Sequence, residues 1–551
     1  MARKRLELKE FTVSQLLNHL ETKRFAVPAI QREFVWDGGK ACKFLDSIYR
    51  QMPVGTVMVW ETSRKNRHHL REQINVLPEF DGSNRDIWFL LDGQQRIAVL
   101  YQARRGARVE VRRGKQIDFS HICIALEPGE RDILFAYRRP ISGKFVSLSD
   151  LLAADWRRRF PGLPAYKVRK LAKCRARLLK YRLPILFIRT NDHKEVREAF
   201  IRINSLGTPV SAADKAFARA SEFGMRHLAR QAQAALAEGF KDLPDNALLL
   251  AMAFMRGERF DVGEPVIEAA IRKLERSVEK DKSVLKSFTK EWNQLRSSVA
   301  KAIDYLRCNF SVINRGFLPS DNMLVVLSMF FCWNKSKPTP LQKREVRKWF
   351  WATAVCKRYS GRGHRKNILS DLAFFERLAR RKAARFRLEL RARRQDVRDT
   401  EYTTHGSLSN AYFCLLLRQQ PRYLENGDKI PVESISARAN KNQKHHIFPQ
   451  AKLRSARYPL KDCHSLCNIC LLTAEENQMI GNRLPVRYLK EVPADGHLPT
   501  FMKSHLIPSQ KSSGLWEKDA KDAYRRFVRS RLNEICAAFE REAGIRFFQD
   551  R

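Results

Sequence analysis

The chain has 551 residues, 44% of them hydrophobic and 30% charged, with 104 Lys and Arg against 59 Asp and Glu and a formal net charge of +45. Such a length supports roughly three domains with packed cores, and the charge excess destabilises a compact chain by self-repulsion unless a polyanion, ordinarily nucleic acid, offsets it. Eleven scattered cysteines argue against a disulfide frame, MARKRLELKEF at the N-terminus has no apolar signal region, and the apolar runs 247–255 and 323–333 are too short for a bilayer, so a cytoplasmic protein away from membranes is expected.

In chain order, TVMVW (56–60), IWFLLD (87–92), ICIAL (122–126) and LPILFI (183–188) are short apolar runs bounded by turn residues or charges, as buried strands are. Between them ARRGARVEVRRGK (103–115) reads as a basic hairpin, and residues 156–182 carry a strongly basic helical half. From about residue 195 to 400 apolar positions recur three and four apart, as in EVREAFIRINSLG, EPVIEAAIRKLERSVEK and REVRKWFWATAVCKR, and predict helices. RLARRKAARFRLELRARR (377–394) reads as a helix whose charges are nearly all of one sign. A run of charge is ordinarily a solvated face, yet one sign alone suits phosphate equally well. Residues 401–551 form a third region of short strands followed by helices. The fold expected is multidomain α+β, divided 1–195, 196–400 and 401–551, the start of the middle region completing the first.

The third region contains KHHIFPQ (444–450), with Asn468 in LCNICLL 22 residues after His446 and Asn477 in TAEENQM nine later. Neighbouring side chains of a strand point to opposite faces, and Pro449 marks the strand's end. LCNICLLT reads as the second strand of a hairpin, and Thr473 with Glu476 reads as a capping box that opens a helix bearing Asn477 in its first turn. Strand, loop, strand and helix, with His, Asn and Asn in this order, resemble the HNH nucleases with their ββα-metal fold. The resemblance implies that His446 is the general base, that Asn468 holds the loop and orients it, and that His445 and Asn477 ligate a divalent metal. Hydrolysis of a phosphodiester needs an activated water and a cation beside the phosphate, and an imidazole with an amide oxygen suits Mg²⁺ or Mn²⁺. Asn482 is a rival for the helix ligand. Cys463, Cys467 and Cys470 would need His464 as a fourth ligand to hold zinc, and are otherwise buried thiols.

Near the N-terminus, VPAIQREFVWD (27–37) and LLDGQQRIAVL (90–100) are followed by FIRINSLGTPVSAADKAFA (200–218). No P-loop is present. In LLDGQQR a buried strand delivers Asp92 and Gly93, and Gln94, Gln95 and Arg96 open a helix whose free N–H groups and Arg fork suit phosphate. Taken together, I-Q-R-x-F-V-W, D-G-Q-Q-R and F-x-x-I-N-x-x-G-T-P resemble the GmrSD family of Type IV restriction endonucleases, and KRYSGRG (357–363) resembles a further element of it. The resemblance implies an N-terminal ParB/sulfiredoxin-like domain that binds and hydrolyses a nucleoside triphosphate (GTP, UTP, CTP or ATP), with Gln31, Arg32, Asp92, Gly93, Gln94, Gln95 and Arg96 shaping the site and Asn204 and Gly207 lining or supporting it. Ile97-Ala98-Val99-Leu100 stands where the family often has L-T-T-L, which bears on nucleotide preference.

The function expected is a metal-dependent DNA endonuclease or nickase under nucleotide control, with NTPase activity in its first domain, restricting modified or phage DNA and open to assembly as a homo-oligomer. Lys167, Arg169 and Lys170 of one basic stretch and Arg381, Lys382 and Arg385 of the other are the candidate DNA contacts. The alternative is an NTP-switched ParB-like DNA clamp whose HNH part is inactive.

Overall fold

Alternation along DIWFLLD explains the first sheet. Trp88 and Leu90 face one side of the strand and Ile87, Phe89 and Leu91 the other, and all five are buried. A computed structural model gives the arrangement; it describes all residues except 1–4, 29–30, 32, 71–75, 111–115, 128–133, 141–143, 207–211, 221–222, 381–383, 388–391, 403–405, 432–443, 493–495 and 549–551. The chain divides into two compact units, Met1–Glu222 and Phe223–Arg551.

In the first unit, β1 (Leu6–Thr12), β2 (Phe25–Ala26), β3 (Val57–Ser63), β4 (Asp86–Asp92) and β5 (Arg182–Arg189) form one mixed sheet in the order β1-β5-β3-β4-β2. β5 lies antiparallel to β1 and parallel to β3, with Leu186 opposite Leu8 and Phe187 opposite Val59. One face packs its Val57, Val59, Leu90, Ile185 and Phe187 on α1 (Val13–Glu21), α2 (Gly38–Tyr49), α3 (Gln94–Arg105) and α4 (Ala165–Lys180). The other places Trp60, Ile87, Phe89 and Leu91 against Val196 and Phe200 of α5 (His193–Leu206). Burial on both faces is what lets these strands read as apolar runs. A separate small sheet holds ICIAL, where Ile122–Ala125 pairs with Phe135–Tyr137 and Phe145–Ser147.

The basic hairpin is narrower than 103–115. Residues 103–105 finish α3, and the pairing joins Arg108–Glu110 to Gln116–Asp118, residues 111–115 lying outside those described.

The second unit is mainly helical. Both apolar runs are buried helices, Asp245–Met255 and Asp321–Trp333, packed on one another. Next come α6 (Pro340–Val355) and α7 (His364–Ala379). The stretch 377–394 is not one helix: α7 ends at Ala379, and residues 384–387 have no regular structure. Phe386 gives the reason. Its ring is buried edge-on against Phe374, and its N–H donates to the Glu345 carboxylate at 2.8 Å, so leaving the helix satisfies a buried acid and fills the core. Further on, β6 (Lys444–His446) pairs antiparallel with β7 (Ile469–Leu471), followed by α8 (Ala474–Ile480), and α9 (Ala520–Ala543) packs its Ala523, Tyr524 and Phe527 into the same core. Among the described residues no helix is long and apolar enough to cross a membrane.

Candidate active site and nucleotide cradle

The hairpin and α8 bring the expected residues together in two pairs. His445 and His446 are adjacent on β6 and turn to different partners. His445 Nδ1 is in hydrogen-bond contact with Asn477 Oδ1, whereas His446 Nε2 lies 3.0 Å from His464 Nδ1. Asn477 is placed by the capping box, in which the Thr473 side chain accepts from Glu476 N–H and the Glu476 carboxylate accepts from Thr473 N–H. Asn482 falls beyond the helix's end at Gly481, exposed to solvent.

Asn468 is not in the second strand. It closes a short 3₁₀ turn, Leu466–Asn468, one residue before β7. Fully buried, it ties three segments: its Oδ1 accepts from Phe448 N–H at 2.9 Å, and its Nδ2 donates to Phe448 O at 3.1 Å and Cys463 O at 2.9 Å. The amide thus clamps the chain just after His446 to Cys463, the residue before His464.

Burial dominates the electrostatics. Desolvation disfavours a charged imidazole and lowers both histidines to about 4; for His446 the neighbouring His464 and His445 add to the effect. Both are neutral at physiological pH, the state a metal ligand and a general base require. His445 Nε2 is itself buried with no hydrogen-bond partner, so its ring has ligand capacity to spare. Cys463, Cys467 and Cys470 are all buried, and burial raises each thiol, to about 11 for Cys467 and about 12 for Cys470. Among the described residues no three His, Cys, Asp or Glu gather as a metal cluster. His445 Nδ1 and Asn477 Oδ1, the two atoms that would hold a divalent ion, are engaged with each other here.

Three supporting residues carry no signal of this role in the sequence. Tyr402 stands edge-on to both His446 and His464, with ring centroids 5.4 and 5.2 Å away. Arg531 of α9 is fully buried and donates to Cys467 O, Ile469 O, His505 O and the Tyr412 hydroxyl, bracketing the Asn468 turn. His505, also fully buried, meets Arg422 O at 2.9 Å through Nε2. Beside His464 opens a cavity of about 1240 Å³ that includes Ser465 and is edged by Arg394, Arg398, Lys461, Arg525 and Arg529.

In the first unit the D-G-Q-Q-R stretch forms as expected, β4 ending at Asp92 and α3 starting at Gln94. Gly93 has φ +88°, and a Cβ there would meet Val57 Cγ2 at 2.9 Å, so the turn needs glycine. The side chains, however, mostly hold protein. Gln31 donates to Leu90 O at 3.0 Å and Leu91 O at 2.5 Å. Gln95 accepts from Val35 N–H and donates to Glu33 O. Arg96 does not present an open fork to a phosphate: its Nη atoms donate to Val54 O at 2.7 Å, Thr56 O at 3.0 Å and the Asp92 carboxylate at 2.9 Å. One feature does fit an anionic ligand: the N-terminus of α3 has no side-chain cap. Gln94 Oε1, buried with no partner, is an acceptor and calls for a hydroxyl or N–H donor instead. Arg32 and Gly207 lie outside the described residues, and Asn204 sits on α5 without a described side chain.

Of the candidate DNA contacts, Lys167 pairs with Glu127 at 2.8 Å and Lys170 donates to Leu126 O at 2.5 Å, while Arg169 is exposed. Arg385 is exposed, and Arg381 and Lys382 lie outside the described residues.

A protein of Methanocaldococcus jannaschii, itself uncharacterized, aligns at 21% identity over 559 residues, covering 92% of this chain and 89% of its own length. Residues 13–220, which hold the mixed sheet except β1 and include the Asp92–Arg96 turn, match the family model of the GmrSD restriction endonuclease N-terminal domain.

Proposed function

We propose that the protein is a metal-dependent DNA endonuclease or nickase, with its HNH nuclease domain in residues 401–551 and a nucleotide-responsive ParB/sulfiredoxin-like domain in residues 1–195, acting on modified or phage DNA. One observation carries the nuclease reading: a buried neutral His445 meets Asn477 while, next to it in the chain, neutral His446 meets His464. Mg²⁺ or Mn²⁺, when bound by His445 and Asn477, supplies the positive charge that a phosphodiester needs as its oxygens gain charge in the transition state. His446 takes the proton from the attacking water. In the tautomer whose Nε2–H donates to His464 Nδ1, the Nδ1 lone pair of His446 is left for that proton. Asn468 keeps the two rings in register by its bonds to Phe448 and Cys463. The cations around the neighbouring cavity attract the DNA backbone without choosing a sequence.

Nucleotide control rests on the uncapped α3 and on Gln94, with Arg96 and Gln95 keeping the loops in place. Binding of a triphosphate there shifts the population of a cleavage-competent form.

Plasmid nicking in Mg²⁺ or Mn²⁺, with each NTP and with matched modified and unmodified DNA, tests the reading. Wild type nicks and His446→Ala does not. Absence of nicking by wild type under every condition would instead support the alternative, an NTP-switched clamp with an inactive HNH part.

A further inference from the structure

A second basic cavity lies in the helical part of the second unit, away in sequence from the His445–Asn477 site. Its volume is about 810 Å³, and its walls come from α6, α7 and the segment 384–387. Six cationic side chains line it, Arg344, Arg358, Lys366, Arg377, Arg385 and Arg387, against one carboxylate, Asp371. That carboxylate is already committed. Arg358 reaches it at 2.9 Å, and Trp349 Nε1 and Tyr359 OH donate to it at 3.0 and 2.8 Å, all within the buried floor. Arg344 leans on Glu345 at 3.4 Å. Lys366, Arg377, Arg385 and Arg387 are left exposed, and among the described residues none of them forms an ion pair.

Four unpaired cations around one concavity repel each other, and this costs stability unless an anion enters. The fold has built the arrangement deliberately in one respect: Phe386 is anchored by Glu345 and Phe374, which carries Arg385 and Arg387 to the rim on either side of a fixed ring. Guanidinium groups fit the paired oxygens of a phosphate. The two rings of the cavity, Phe374 and Phe386, are only 5% and 2% exposed, so no aromatic face is offered to a base. Charge without a base platform suits backbone phosphates better than a mononucleotide.

We propose that this cavity is a second binding site of the protein, holding the phosphodiester backbone of a DNA strand. The proposal rests on the reading that the chain acts on DNA, and not on whether it cleaves. Its test is fluorescence anisotropy with a labelled duplex and the full chain in EDTA, across a salt titration. The variant combines Lys366→Gln, Arg377→Gln, Arg385→Gln and Arg387→Gln. A control of equal charge change combines Lys282→Gln, Lys286→Gln, Lys290→Gln and Lys301→Gln, all exposed and away from the cavity. Each cation that meets a phosphate contributes about 0.9 to the slope of log affinity against log salt, so the cavity variant should lose roughly three and a half units of slope and, near physiological salt, at least on the order of a hundredfold in affinity. The control should change little. Single variants Lys366→Gln and Arg387→Gln, each expected to remove about one unit, serve if the combined variant does not fold. Equal losses in cavity and control variants overturn the proposal in favour of general charge. So does a loss confined to binding of free ATP or GTP with duplex affinity intact. Because no metal is present, failure of the nuclease reading shows separately, as absent nicking by wild type in Mg²⁺ or Mn²⁺.

Discussion

Replacing Arg531 by Met sets two large effects against each other. A buried guanidinium is costly to desolvate, and exchanging a buried charge for an apolar side chain is often neutral or stabilising. Here, however, the group serves as donor to four acceptors: Cys467 O at 3.2 Å, Ile469 O at 2.7 Å, His505 O at 3.0 Å and the Tyr412 hydroxyl at 2.9 Å. Tyr412 also donates to Ile469 O at 2.6 Å, so that carbonyl keeps one bond in the variant. Cys467 O and His505 O lose theirs inside the core. Two orphaned acceptors cost about 1–3 kcal/mol each, and the relief of desolvation, with Nε already lacking a partner, recovers only part. We expect a net loss of about 3 kcal/mol, read as a lower urea midpoint for the second unit at unchanged slope. Because the two lost or weakened carbonyls at 467 and 469 flank Asn468, nicking should also fall roughly tenfold at a temperature where the variant remains folded, on the view that a small misplacement of reacting groups is expensive. A variant as stable as wild type, or more so, would mean that desolvation of the charge dominates and that Arg531 does not organise the turn.

Other outcomes follow from the same geometry. His446→Ala should lower the nicking rate by about 10²–10⁴ without weakening duplex binding measured in EDTA; parallel loss of both would point to a folding role instead. Arg96→Ala should destabilise the first unit by about 2–4 kcal/mol, since Val54 O and Thr56 O lose a charged donor, whereas Gln94→Ala should leave thermal stability nearly unchanged and weaken nucleotide binding; the reverse pattern in calorimetry defeats this assignment. Burial lowers His505 from 6.5 to about 4. The unfolded chain therefore binds the proton first, and the stability His505 contributes is complete above pH 6.5 and lost as pH falls toward 4, by at most about 3 kcal/mol. Denaturant midpoints measured across that window should drop, and His505→Gln should make the drop shallower; an equally steep drop in the variant excludes His505 as a source.

Much of the local structure was legible in the chain. Short apolar runs bounded by turn residues or charges marked β3, β4 and β5 of the mixed sheet but not β1 or β2, and a Thr-x-x-Glu capping box placed the α8 start to the residue, because both signals depend on interactions within a few positions of one another. The sequence by itself also set out His445, His446, Asn468 and Asn477 at their spacing, and the Gly93 turn before α3. Local pattern failed where distant groups competed for the backbone. The one-signed stretch 377–394 has good helical composition, yet Phe386 leaves the helix for a core position and a bond to Glu345, a residue 41 positions away. Tertiary structure alone decided what the polar side chains face. It turned Arg96 and Gln95 inward onto carbonyls, gave His446 the partner His464, placed a fully buried Arg531 beneath the Asn468 turn, and gathered cations from α6, α7 and residues 384–387 around one cavity. A hydrogen bond between remote segments leaves no periodicity in either of them, so only the folded chain reveals which donor meets which acceptor.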